Sequence, residues 1–160
     1  MIRPTMPLRP LLRRSLWAAA VLPLLAAAPA ADACSCTPPG SPRAELEHAD
    51  AVFTGRVVAV EAEDEESGFR RLAVRFALDA AWKGVPAGDE VTVKTAEQSA
   101  ACGYSFEPEE EYLVYAYADE AGGLTTGLCT RNAPLAQADE DLAALGEPVR
   151  TVGKDDARER

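Results

Sequence analysis

Phe69-Arg70-Arg71-Leu72-Ala73-Val74-Arg75-Phe76-Ala77-Leu78-Asp79-Ala80-Ala81-Trp82 is the stretch that decides the fold. Leu72, Val74, Phe76 and Leu78 recur at every second position, which puts one apolar face on a long strand. Upstream, Ala51 to Glu61 is rich in Val, Phe and Thr and predicts a first strand. Between them, Glu61-Ala62-Glu63-Asp64-Glu65-Glu66-Ser67-Gly68 reads as an acidic hairpin loop, too charged to bury. Downstream, Lys83 to Asp89 is a turn, and Glu90 to Thr95 is a third strand in which Val91 and Val93 alternate with Glu90, Thr92 and Lys94. Ala96 to Ser105 reads as a loop carrying Cys102, continued by Glu107-Pro108-Glu109-Glu110-Glu111. Tyr112 to Ala118 is a fourth strand, and Gly122-Gly123 turns the chain into a fifth, Leu124 to Cys129. A sandwich takes about seven strands. Five with short turns fit a mainly β protein, a small closed barrel of the OB type.

Short helices flank these strands. Ser41 followed by Pro42 is a cap with proline at the first helical position, opening a helix through about His48. Asp139 to Leu145 is helical by pattern and is stopped by Gly146 and Pro148. Thr37-Pro38-Pro39-Gly40 is extended or turning, because consecutive prolines fix φ and remove donors. Residues 147–160 are charged and poor in apolar side chains, which predicts a disordered tail.

The first 33 residues read as a secretory signal peptide. Arg3, Arg9, Arg13 and Arg14 form a positive start, Leu16 to Ala28 an apolar core, and Ala31-Asp32-Ala33 a small-x-small cleavage pattern. Cleavage after Ala33 makes Cys34 the first residue of a mature chain of 127 of the 160 residues, a secreted or periplasmic protein. Its domain is expected over residues 34–146. Arg13-Arg14-Ser15-Leu16-Trp17 loosely resembles a twin-arginine signal. A first-position cysteine also opens a lipoprotein reading, against which Ala31 stands where such signals usually carry Leu. No other stretch is apolar enough for a membrane span.

Losing the signal peptide takes the balance from 16 basic against 26 acidic residues to 12 against 25, or −13. That argues against nucleic acid and against anionic membrane surfaces as partners. Enzymatic motifs are missing too. His48 is the only histidine, so neither HExxH nor a Ser-His-Asp set is available, and the acidic runs lack EF-hand spacing.

The four cysteines carry the functional signal. An even number in an exported chain reads as two disulfides, whereas Cys34-Ser35-Cys36 lacks the usual spacing of a zinc knuckle. Cys34 and Cys36 are too close to bridge each other without strain, so each pairs with Cys102 or Cys129. Mature termini normally fray, and tying one down suggests that it presents something. An α-amine with a pKa of about 8 is partly neutral at physiological pH and can ligate a metal.

Several stretches resemble the tissue inhibitors of metalloproteinases. Cys34-Ser35-Cys36-Thr37-Pro38-Pro39 is similar to the start of these inhibitors, and Ala49-Asp50-Ala51-Val52-Phe53-Thr54-Gly55-Arg56-Val57 to their first strand. Trp82-Lys83-Gly84 resembles the turn that closes their second strand. Ser99-Ala100-Ala101-Cys102-Gly103-Tyr104, with Glu111-Tyr112-Leu113-Val114, resembles their central cysteine loop and the strand after it. Gly123-Leu124-Thr125-Thr126-Gly127-Leu128-Cys129 is similar to the strand that ends in the partner cysteine. The resemblance covers about residues 34–145 and implies a netrin-like OB barrel.

It also implies a function. The amine and carbonyl oxygen of Cys34 would chelate the catalytic zinc of a target metalloprotease, so the zinc belongs to the target and the inhibitor needs no cofactor of its own. Ser35 would enter the primary specificity pocket, and Cys36, Thr37 and Pro38 would run along the cleft. Ser99, Ala100, Ala101 and Cys102 would lie beside them, with bridges Cys34–Cys102 and Cys36–Cys129. The expected partner is a zinc metalloprotease and the expected state a monomer. Animal members have a third disulfide in this domain and a second cysteine-rich domain, neither of which this chain carries. The alternative is a netrin-like binding or structural module that inhibits nothing, with the disulfides as braces and Cys34 as a lipid anchor in the lipoprotein case.

Overall fold

The computed structural model describes residues 34–64, 70–85 and 87–152. The expected signal peptide, the tip of the acidic hairpin and residues 153–160 lie outside the described residues.

Helix α1 (Pro42–His48) leads into β1 (Ala51–Asp64), β2 (Arg70–Lys83) and β3 (Glu90–Ala96). A short helical turn, Ser99–Ala101, follows; then come β4 (Glu111–Ala118), β5 (Leu124–Thr125) and β6 (Ala133–Pro134). A second helical turn, Leu135–Gln137, precedes α2 (Asp139–Leu145) and β7 (Arg150–Thr151). Strands β1, β2, β3, β5 and β4 pair in that order, and β4 pairs back with β1. The result is a closed five-stranded ring, an OB-type barrel. Every pairing around it is antiparallel except that of β3 with β5, where Val93 faces Leu124 and Lys94 faces Thr125.

Closure is built into β1, whose first half is shared between two neighbours: Gly55 faces Leu78 of β2 and Tyr112 of β4. The β1–β2 register shifts between Val52 and Phe53, Thr54 and Gly55, and Val57 and Ala59, which coils the strand. A Cβ on Gly55 would lie 2.7 Å from the Ala77 carbonyl oxygen, so only glycine lets the two strands approach there.

Inside the ring, Phe53, Val57, Val74, Phe76, Val91, Val93 and Val114 are almost wholly buried, with Leu78 and Tyr112 beside them. Phe106 plugs the barrel from the loop before β4, with its ring 5.2 Å from Phe76 and 5.0 Å from Tyr112 in edge-to-face contacts. A second core lies outside the ring, where Val52, Leu113 and Tyr115 pack under Leu46, Leu142 and Leu145. β4 is therefore buried on both faces, which explains its unbroken run of apolar residues.

The Trp82-Lys83-Gly84 turn ties the end of α1 to the end of α2. The Trp82 indole donates to the Gly146 carbonyl at 2.7 Å. Lys83 Nζ donates to the last carbonyls of α1, Leu46 at 3.1 Å and Glu47 at 2.8 Å, capping its negative end. Gly84 has φ of 60°, and a Cβ there would fall 1.6 Å from the Asp50 carbonyl oxygen.

Three expectations need correction. Ala62 to Asp64, read as loop, continue β1 as an exposed ribbon, where cross-strand charges replace burial: Glu63 meets Lys94 at 2.8 Å and Asp64 meets Arg70 at 3.2 Å. The fifth strand stops at Thr125 rather than reaching Cys129, because Thr126 turns its hydroxyl onto the Tyr115 carbonyl at 2.7 Å. The tail expected from residue 147 is ordered at its start. β7 pairs with Ala80 and Ala81 of β2, and Val149 and Val152 donate their backbone N–H groups to Ala81 and Asp79.

Candidate functional site

The segment Cys34–Gly40, neither helix nor strand, precedes α1 and is held at three places. The structure pairs Cys34 with Cys102 and Cys36 with Cys129, with Cα atoms 5.2 Å and 5.1 Å apart. The two bridges stack. Cys34 Sγ lies 3.9 Å from that of Cys36 and 4.0 Å from that of Cys129, and all four sulfurs fall within 4.8 Å of one another. Each is committed to a disulfide, so the cluster offers no thiolate to a metal. Cys34 is half-buried, while Ser35, Cys36, Thr37 and Pro38 are exposed.

The receiving loops are shaped by backbone rather than by side-chain packing. Cys102 ends the turn Ser99–Ala101 with φ of 60°, and its N–H donates to the Ser99 carbonyl at 2.9 Å. A Cβ on Gly103 would lie 1.9 Å from the Ala96 carbonyl oxygen, and one on Gly127 would lie 2.6 Å from that of Cys102. The Leu128 N–H closes onto the same Cys102 carbonyl at 2.7 Å, so the two cysteine loops are joined directly. Ser99, Ala100 and Ala101 are exposed, and the first bridge ties Cys34 to Cys102, the residue that ends their turn.

The third hold is at Gly40. Its N–H donates to Glu45 Oε1 at 2.7 Å, and its carbonyl accepts from Arg131 Nη1 at 2.9 Å. Glu45 Oε2 in turn accepts from the Tyr117 hydroxyl at 2.9 Å. The Gly40 N–H, then the Tyr117 hydroxyl, hold the Glu45 carboxyl below its ordinary value. Burial, then the bond to Glu45, pushes the Tyr117 hydroxyl up to about 12. Arg131 forks onto Asp141, with Nε at 2.7 Å from Oδ1 and Nη2 at 2.6 Å from Oδ2, and the Tyr115 hydroxyl also donates to Oδ1 at 2.9 Å. Burial pushes the Asp141 carboxyl up, but the bonds from Arg131 and Tyr115 outweigh it and hold the group below its ordinary value.

A cleft of about 680 Å³ opens beside the cysteines, with Arg70, Gln98, Cys102, Thr126 and Cys129 among its walls. His48 is the exposed last residue of α1 and joins no constellation. No helix among the described residues is long and apolar enough to cross a membrane.

Sequence reasoning missed Glu45, Arg131 and Asp141. Glu45 left a faint signal, standing four places after the capping Ser41 where a capping box has its carboxylate at three. Arg131 and Asp141 left none, since their contacts with Gly40 and Tyr115 span 91 and 26 residues.

A family model described as Tissue inhibitor of metalloproteinase matches residues 32–138. No curated protein matches the chain.

Proposed function

The chain belongs to the tissue inhibitor of metalloproteinase family, and from that premise we propose that it inhibits zinc metalloproteases through the α-amine and carbonyl oxygen of Cys34. The reading requires release of residues 1–33 on export, so that Cys34 begins the mature protein. The neutral amine and the adjacent carbonyl then fill the open coordination position of the target's zinc and displace the water that attacks peptide bonds. The zinc is the target's, and the inhibitor brings no cofactor of its own.

Ser35 enters the target's primary specificity pocket, and Cys36, Thr37 and Pro38 follow the cleft as a product would. Ser99, Ala100, Ala101 and Cys102 form the parallel rim. The observation that carries the reading is the pinning of an exposed segment, residues 35–38, by two stacked bridges, one to Cys102 at the end of the exposed Ser99–Ala101 turn and one to Cys129. A ligand edge held rigid before binding loses little conformational entropy on docking.

The test has two steps. Intact mass of the exported, non-reduced protein should begin at unmodified Cys34 and lack four hydrogens for two disulfides. One alanine added before Cys34 should then abolish inhibition of zinc proteases while leaving the fold intact, because it turns the amine into an amide nitrogen. An extended variant that still inhibits would sink zinc chelation. A second reading, a binding module, is favoured by the cleft beside the cysteines. A lipid adduct on Cys34, or a start several residues away, selects it.

A further inference from the structure

Two side chains from different elements bind the two polar backbone groups of one residue, Gly40. Glu45 of α1 accepts its N–H at 2.7 Å and Arg131, from the turn after β5, donates to its carbonyl at 2.9 Å. Neither partner is loose. Glu45 is held by Tyr117 of β4, and Arg131 by Asp141 of α2, which also receives the Tyr115 hydroxyl. Pro38 and Pro39 have no N–H to give. Among the described residues, the hydrogen bonds of 37–40 are these two alone.

The same turn therefore holds the segment twice, at Cys36 through Cys129 and at Gly40 through Arg131, two residues further on. The turn itself is fixed to β4: the Asn132 side chain accepts from the Tyr115 N–H at 2.9 Å and donates to Thr126 Oγ1 at 2.8 Å. Between the two holds, Thr37, Pro38 and Pro39 form an exposed span with no side-chain anchor of their own.

We infer that Glu45 and Arg131 are positioning residues for the inhibitory segment: by fixing both peptide groups of Gly40 they set the direction in which Cys34–Pro39 lies across the target's cleft. The disulfides fix where the segment begins, and this clamp fixes its far end. Neither residue touches the zinc or the specificity pocket. They act through Gly40, and the inference rests on the inhibitory reading above.

The experiment compares wild type with Glu45→Ala, Glu45→Gln and Arg131→Met in the disulfide-intact mature protein. Two readouts are taken: amide hydrogen exchange at Gly40 with backbone order at Thr37 by nitrogen relaxation, and inhibition constants against a panel of zinc proteases. Alanine is a good helix former, so Glu45→Ala keeps α1. It should speed Gly40 exchange roughly tenfold, the scale of one lost charge-assisted bond, loosen Thr37 and weaken inhibition by a similar factor. Glu45→Gln keeps an acceptor for Gly40 and should restore most of both. Arg131→Met should loosen the same residues from the carbonyl side. Wild-type order at Thr37 and Gly40 in Glu45→Ala and Arg131→Met would overturn the clamp. Loosened order with unchanged inhibition would overturn its positioning role. A wild type that loosens on mutation yet inhibits no zinc protease leaves the clamp standing and removes the inhibitory reading instead.

Discussion

Ser35 is small and exposed, and only its neighbours are anchored. A serine forfeits the apolar burial that a deep pocket offers, about 1.5–3 kcal/mol for a Leu-sized side chain. Ser35→Leu should therefore tighten inhibition of deep-pocket zinc proteases and weaken that of shallow-pocket ones, with little change in melting temperature. Equal shifts for both classes would count against the pocket role. The Cys34 amine must shed its proton to bind zinc, so the inhibition constant should rise roughly tenfold per pH unit below an amine pKa of about 8. A flat profile between pH 6 and about 8 would contradict the amine as ligand. Acid acts on the fold through other residues. The carboxyls of Glu45 and Asp141 are both held below their ordinary range in the folded protein. Their contributions are thus complete above the ordinary carboxylate range and lost as pH falls through the lowered folded values. Asp141→Asn should destabilise the native state by about 2 kcal/mol at neutral pH, because it leaves the half-buried Arg131 guanidinium without its counter-charge, and denaturant unfolding measures it. The four cysteines were legible at this scale because composition and compartment alone imply bridging. The Gly40 clamp was not, because its partners meet only once two helices and a turn have been brought together.

At the scale of elements, alternation in β2 and β3 and the capping Ser41 were readable because each is a local pattern. Ser41 accepts from the Ala44 N–H at 3.3 Å, and α1 starts at Pro42. Phe106 was illegible, sitting in a charged, proline-containing stretch that reads as surface loop. Its ring nonetheless fills one end of the barrel at 6 % exposure. Phe106→Ala should cost about 3–5 kcal/mol through lost transfer and a poorly collapsing cavity, seen as a drop in denaturation midpoint at unchanged slope. Elements of two residues, such as β6 and β7, carry no periodicity and could not be read ahead of the structure. The fifth strand was read too long for a related reason: Thr126 and Gly127 fit a strand by composition. What ends it there is a hydrogen bond to β4 and a close approach to Cys102.

For the whole molecule, the bridges span separations of 68 and 93 residues and tie the same short segment to one body. In the chain-entropy model a loop of either size is worth about 4–5 kcal/mol, a large share of an ordinary domain's stability of about 5–15 kcal/mol. The loops overlap, so the second bridge adds less than the first. Replacing Cys36 and Cys129 together by serine should lower unfolding stability by about 2–4 kcal/mol yet leave the barrel's circular-dichroism spectrum intact, since its aromatic core does not depend on the segment. The OB architecture was legible from five strands. Its parallel β3–β5 contact was not: it joins two strands with a helical turn and β4 between them, and no local pattern announces it. β7 is seated on Ala80 and Ala81, whereas Arg71, which faces Ala96 near the cysteine loops, stands at the other end of the same strand. At about 3.3 Å per residue those points are roughly 30 Å apart along β2. A bead, a chip surface or a fused fluorescent protein attached beyond Val152 would therefore be mounted at the back of the molecule, with the disulfide-bound edge facing freely into solution.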